Sequence, residues 1–324
     1  MLSKIPTGRP KLRDWNWFRS LPTEQVAQIV AQDKKRVCVF PINGTRRWYL
    51  LEHYGKNPSR EADYLRDYVD QSAQNHRQLY RLLFEHGIHT LLTSLFGSSL
   101  LERSETWVAS VMGYGLALLD RDPAFRQLYQ EMGVRVRFYG DYRRALPDLG
   151  FGHLIELLDR IAYDTRHNDR HLLLYGVCAD DAVATIAQLS VQYYLEHGRP
   201  PDKRTLVELY YGEHVEPVDL FIGFDKLCTF DMPLLATGNE DLYFTVSPSP
   251  YLTAEQLRAI LYDHLYSRRM PETDYTTLSP DDLKTMKEFY DLNRQNVLGV
   301  GRRSRRGDFW YPLPEVHLTL SLEE

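Results

Sequence analysis

The stretch Val37-Cys38-Val39-Phe40-Pro41-Ile42-Asn43-Gly44-Thr45-Arg46-Arg47-Trp48 decides how this chain is read. Its opening apolar run predicts a short strand buried on both faces. Pro41 ends the run, and Asn43-Gly44 is a turn dipeptide. Residues 47–54 then read as the start of a helix. A strand, a glycine turn and a helix start leave backbone N–H groups aimed at a point where an anion can bind. Arg46 and Arg47 add fixed positive charge and forked donors suited to phosphate oxygens. The chemistry is that of a phosphate or diphosphate cradle. A tight turn with two solvated arginines would carry the same residues, so the rest of the chain has to decide.

The 324 residues, 43% of them hydrophobic, can fill one large α/β domain or two small ones, which excludes a disordered chain. A net charge of -5 argues against a protein that coats nucleic acid, so any anion site has to be a local arrangement. Cys38, Cys178 and Cys228 lie far apart without metal-ligand spacing and read as small core residues of a reduced compartment. Residues 1–13 hold no apolar signal segment, and no apolar run has the length of a bilayer span. A cytoplasmic protein without stable membrane association is the expectation.

Strand-like runs at 36–40, 89–95, 134–139, 171–177, 219–222 and 242–246 alternate with helical patterns at 23–32, 61–85, 105–119, 151–163, 180–197 and 203–211. This alternation predicts a central six-stranded parallel sheet flanked by helices, an α/β fold in a single domain. Such sheets bind ligands beyond the carboxyl ends of their strands. Asn43, Ser98, Asp141, Cys178 and Gly223 would converge on that rim. Residues 253–295 read as helical and charged, and 299–307 as a Gly- and Arg-rich tail whose arginines are solvated.

Asn43-Gly-Thr-Arg-Arg-Trp48 resembles the Asp-Gly-Asn-Arg-Arg-Trp signature of the cis-prenyltransferases. Phe84-Glu-His-Gly-Ile88, Phe96 with Arg103, Val134–Asp141 with Leu146-Pro147, and Asp241–Thr245 follow in the family's order. Asp219–Phe224, Thr229–Leu235, Tyr243–Val246, Ile260–His264 and Gly299-Val-Gly301 are similar to one small branch of that fold, the bacterial diterpene synthases of the kolavelool and tuberculosinol type. The resemblance covers about 36–265. It implies a cis-prenyltransferase-like catalytic domain there, with 1–35 as an N-terminal arm and helix and 266–324 as a helical C-terminal extension packed on the domain. It also implies Mg²⁺ as cofactor and a homodimer.

Site roles follow from the same resemblance. Arg46 and Arg47, with Gly44, Thr45 and Arg103, would hold the diphosphate and take up its growing charge. Tyr68 would face the allylic cation and orient water. Trp107, Phe221, Phe224 and Phe230, with Met112 and Tyr114, are candidates for the wall of a prenyl tunnel, although apolar residues at such spacing are as a rule core. His86, His89 and His264 read as structural.

Two departures from the chain-elongating family carry information. Elongating enzymes hold isopentenyl diphosphate with two arginines after strand five. The run here is Gly223-Phe-Asp-Lys-Leu-Cys-Thr229, without either arginine. Losing two bidentate contacts of ~1.5–3 kcal/mol each should cripple condensation. The second departure is Asn43, where the family carries Asp as Mg²⁺ ligand or proton acceptor. An amide oxygen is neutral and a weaker ligand for a hard cation. Either the chain works without that carboxylate, or the residue is a deliberate Asp-to-Asn change; the second is preferred, because it preserves shape while removing charge.

The expectation is therefore a diterpene synthase, a carbon–oxygen lyase that ionises a bicyclic C20 diphosphate, kolavenyl diphosphate ahead of tuberculosinyl diphosphate. Water would capture the cation to give a tertiary alcohol. Transfer to a nucleoside such as adenosine is the runner-up, and a non-catalytic subunit a distant third. Acidic terpene-cyclase boxes and a His-Glu-x-x-His run are absent, and Gly299-Val-Gly301 is a poor dinucleotide fingerprint.

Overall fold

A computed structural model describes residues 14–53, 61–96, 107–179, 181–268, 274–307 and 309–313. Six strands form one parallel sheet: β1 Arg36–Val39, β2 Ile88–Phe96, β3 Val134–Tyr139, β4 His171–Val177, β5 Leu220–Phe224 and β6 Asp241–Thr245. Their spatial order is β3-β4-β2-β1-β5-β6. All four residues of β1 are buried, and it pairs with β2 on one side and β5 on the other. The chain leaves β1 toward β2 and only later crosses to β5, so β1 marks the switch point where such sheets open a ligand crevice.

Helices cover both faces: α1 Trp15–Ser20, α2 Thr23–Val30, α3 Thr45–Glu52, α4 Glu61–Glu85, α5 Tyr114–Arg121, α6 Pro123–Met132, α7 Tyr142–Asp148, α8 His153–Asp164, α9 Ala182–His197, α10 Lys203–Tyr211, α11 Ala254–Tyr262 and α12 Pro280–Asn293. Local chemistry sets their ends. Asp122 caps α6 by accepting from the Ala124 N–H, with Pro123 at the first helical position and Gly133 left-handed at its close. Thr253 and Gln256 form a capping box on α11.

The sheet separates two cores. The larger joins α2, α4, α5, α6 and α8 to one face through residues such as Leu83, Leu91, Leu116, Leu158 and Tyr175. The smaller lies on the other face around Val39, Tyr139, Tyr211 and Phe221. At the base of β1, Asp219 binds the Val37 N–H at 2.9 Å and pairs with Lys34 and with Arg36, which is 5% exposed. This network ties β1 to β5 at the end opposite the crevice.

Several details differ from the pattern expected from sequence. β5 runs to Phe224, because Gly223 and Phe224 pair with Phe244 and Thr245 of β6. The helix expected over 105–119 is wound as π-helix over Val108–Gly113 before α5 begins; apolar periodicity does not separate the two windings. Past α11 the chain holds a π turn, a single 3₁₀ turn and α12, and the tail folds into a two-stranded hairpin, β7 Gly301–Arg303 with β8 Trp310–Pro312. The C-terminal extension is thus part helix and part hairpin. Among the described residues no helix is long and apolar enough to cross a membrane.

Candidate active site

The turn after β1 is built around one glycine. Gly44 has φ +76°, and a Cβ on it would lie 2.7 Å from Phe224 Cε1 and 3.0 Å from Pro248 Cβ. Both the backbone and the space therefore require glycine. Gly44 caps α3 without a side chain, and the first intrahelical bond is Trp48 N–H to Gly44 O. The amides of Thr45, Arg46 and Arg47 consequently have no acceptor within the helix and are free for an anion. Asn43 is held by a reciprocal pair: its N–H donates to Ser249 Oγ at 3.1 Å, and the Ser249 N–H donates to its carbonyl at 3.0 Å.

A cavity of about 1150 Å³ opens at this turn. Asn43, Gly44, Thr45, Arg46 and Arg47 form one side of its mouth, and the loop Thr229–Pro233 forms the other. The cavity then runs between α4, β2 and the π-helical segment Val108–Gly113, where Val69, Ala73, Phe96, Val111, Leu119 and Phe125 give it an apolar wall. A charged mouth on a long apolar tunnel suits a polar head with a hydrocarbon tail.

Arg46 is exposed and makes no ion pair among the described residues. Arg47 reaches back across the turn, with Nη2 3.4 Å from Asp225 Oδ2 and the guanidinium carbon 5.2 Å from the Phe224 ring centroid. Tyr68 is 9% exposed and lines the tunnel one step inside the mouth. Its hydroxyl lies 2.8 Å from Thr45 Oγ1, and its ring meets Tyr49 edge-on at 5.4 Å. Tyr49 is fixed in turn by donating to Asp67 at 2.5 Å; burial, with that carboxylate beside it, pushes its phenol far up.

Other residues singled out from sequence are placed differently. Trp107 and Phe230 line the cavity, but Phe221 and Phe224 do not. Phe221 is fully buried in the smaller core, because alternation along β5 points it to the face away from the tunnel. Phe224 lies under Gly44 and Arg47 as the floor of the cradle. Met112 is core, and Tyr114 turns outward to donate to Asp70 at 2.7 Å. Of the expected rim, Asp141 is drawn aside by Arg144 and Gly223 lies inside β5. Arg103 and Ser98 fall outside the described residues.

Sequence reading missed two parts of the wall. Of Thr229–Pro233 only Phe230 was named for the pocket, yet the whole loop, Asp231 included, lines the mouth. Along α4, Tyr68, Ser72, His76 and Tyr80 recur every four residues and all line the tunnel. Helical spacing puts these four on one face, and that was the available signal. Burial, with Arg77 adding to it, lowers the His76 imidazole to about 4, so the ring is neutral at pH 7.

Metal fit is limited. Among the described residues no three His, Cys, Asp or Glu side chains gather as a metal site. Asn43 offers one neutral oxygen. Mg²⁺ typically keeps waters and binds through one or two carboxylates plus substrate phosphates. The donors here do not form a protein-built Mg²⁺ site, and an ion would be held chiefly by the diphosphate itself.

No family model matches the chain. It is 40% identical over 286 residues to a tuberculosinyl adenosine transferase of Mycobacterium tuberculosis (strain CDC 1551 / Oshkosh), covering 88% of this chain and 94% of that protein. It is 28% identical over 287 residues to a (+)-kolavelool synthase of Herpetosiphon aurantiacus, covering 85% and 88%. Among solved structures, a probable undecaprenyl diphosphate synthase from Campylobacter jejuni matches with TM-score 0.50 and 17% identity over 74% of this chain and 97% of the other. Lavandulyl diphosphate synthase from Lavandula x intermedia, in complex with dimethylallyl diphosphate, matches with TM-score 0.54 and 16% identity over 71% and 94%. The fold is that of the cis-prenyltransferases.

Proposed function

The chain belongs to the family of the tuberculosinyl adenosine transferase, diterpene enzymes on a cis-prenyltransferase fold, and from that premise we propose that it ionises a bicyclic C20 prenyl diphosphate and adds water to the cation. The observation that carries this reading is one cradle of positive charge among the described residues, Gly44 to Arg47, at the mouth of a long apolar tunnel. The corresponding turn after β5 presents Asp225 and Lys226 in place of a second pair of arginines.

In this reading the diphosphate head binds the amides of Thr45, Arg46 and Arg47 and both guanidinium groups. The C–O bond to the allylic carbon breaks, and its electron pair leaves with the diphosphate. The cradle stabilises the charge as it develops, which is where binding energy accelerates the step. The hydrocarbon lies in the tunnel with its allylic end beside the Tyr68 ring, whose face favours a cation. Water bonds to the tertiary allylic carbon and loses a proton, giving a tertiary alcohol. Any Mg²⁺ would arrive with the diphosphate and add charge to the same head.

Tuberculosinyl diphosphate is the first substrate to test, because the 40% relative outranks the 28% one; kolavenyl diphosphate, preferred from sequence, is the second. A nucleoside as acceptor is a second reading, favoured by the name of that 40% relative. We also infer a homodimer through α9, which has no buried residue along its length and exposes Val183, Val191, Tyr194 and Leu195. The deciding experiment incubates the protein with each C20 diphosphate, with and without adenosine, and follows diphosphate release and product mass. A tertiary alcohol with released diphosphate is expected. Chain elongation with isopentenyl diphosphate, or no release from any C20 diphosphate, would overturn the reading.

A further inference from the structure

Ser72, His76 and Tyr80, on one face of α4, each bring a buried polar atom without a hydrogen bond to the tunnel wall, and the first two stand nearest Tyr68. Ser72 Oγ and His76 Nε2 are buried and make no hydrogen bond, although both residues line the cavity. Ser72 is 9% exposed. A buried polar atom left without a partner costs about 1–3 kcal/mol, so such groups are as a rule satisfied by something. Both stand one and two turns inward from Tyr68 on the same face of α4. Residues four apart on a helix have Cβ atoms about 6 Å apart, a gap that one water molecule bridges.

We propose that Ser72 and His76 hold the water that captures the allylic cation, with His76 accepting its proton. The inference rests on the reading that this site ionises one prenyl diphosphate and hydrates the cation. Ser72 lies about 6 Å along the helix axis from Tyr68, one turn deeper than the ring beside which the allylic end is proposed to lie. Ser72 Oγ accepts one hydrogen bond from the water and His76 accepts the other, which turns a water lone pair toward the cation. The oxygen–carbon bond forms, the resulting oxonium releases one proton to the imidazole, and the neutral alcohol remains. That proton returns to solvent when the alcohol and the diphosphate leave. Burial holds the ring neutral beforehand, so a lone pair is available at pH 7.

A cation that meets no water loses a proton from carbon and gives a hydrocarbon instead. The test compares Ser72→Ala, His76→Leu and His76→Asn with the parent chain, incubated with tuberculosinyl and kolavenyl diphosphate without nucleoside. The readout is the alcohol-to-hydrocarbon ratio per diphosphate released. Ser72→Ala and His76→Leu should lower that ratio at least tenfold, and His76→Asn, which keeps a polar edge, should recover part of it. An unchanged ratio in both, even with slower turnover, assigns the two residues to packing and overturns the inference alone. No diphosphate release by the parent chain from either substrate overturns the proposed function and this inference with it.

Discussion

Arg47 Nη2 lies 3.4 Å from Asp225 Oδ2, so an arginine of the anion cradle is engaged by a carboxylate from the end of β5. The pair is part exposed, at 44% and 20% for the two side chains, and is therefore worth about 0–1 kcal/mol. In the proposed reading a diphosphate displaces Asp225 from Arg47, and the same acid repels a second diphosphate beside the first.

Asp225→Asn should therefore tighten binding of inorganic diphosphate about two- to fivefold at low salt. Asparagine suits the left-handed backbone at this position, where φ is +68°. Titration calorimetry on both forms measures the change. Weaker or equal binding by the variant would show that Asp225 organises Arg47 for the anion instead of competing with it.

Asn43 lines the cavity with a neutral amide, held by its backbone pair with Ser249. Asn43→Asp adds a carboxylate without changing shape. Turnover of a C20 diphosphate should rise at least tenfold, with a steeper dependence on Mg²⁺, because the added charge holds a hard cation better. Steady-state rates at several Mg²⁺ concentrations give the answer. Equal rates for the two forms mean that this member does its chemistry without the carboxylate.

Stability should depend on acid through three histidines. Burial is the first cause for each of His76, His89 and His171, and it lowers their imidazoles from 6.5 to about 4. Between those values the unfolded chain binds protons that the folded chain does not. Their contribution is therefore complete above about pH 6.5 and falls as the pH drops toward 4, by up to about 1.4 kcal/mol per pH unit for the deeply buried His76 and by less for His89 and His171, which solvent partly screens. Denaturant midpoints should be level from pH 7 to 8 and decline below 6.5. His171 stacks on Phe84 at 4.5 Å, so His171→Phe should flatten part of that decline. A midpoint unchanged from pH 7.5 to 4.5 rules this out.

α9 carries Val183 at 81% exposure and Leu195 at 77% in a sixteen-residue helix without a buried residue. Water leaves such a surface when a second copy covers it. Leu195→Glu should shift a dimer to monomer at micromolar concentration in sedimentation experiments, while the thermal midpoint of the isolated chain changes little. A parent chain that is monomeric at the same concentration would exclude this interface.

What the sequence determined by itself is local. A continuous apolar run at 37–40 can only be a buried strand or a short buried helix, and Pro41 with Asn43-Gly44 settles it as strand and turn. Alternation of such runs with helical patterns fixed a parallel sheet, and the position of Arg46 and Arg47 just past the first strand put them at its crevice. The tertiary structure decided what depends on distant residues meeting. Phe221 and Phe224 sit in one short strand with the same composition cue, yet the pleat sends one to the smaller core and the partner turn draws the other under Gly44. Asp225 meets Arg47 across 178 residues of chain, and Ser72 Oγ and His76 Nε2 become buried without a hydrogen bond only once β2 and the π-helical segment Val108–Gly113 close the tunnel over α4. Residue type and spacing carry the first kind of information; burial and partnership are properties of the folded volume, and no local window contains them.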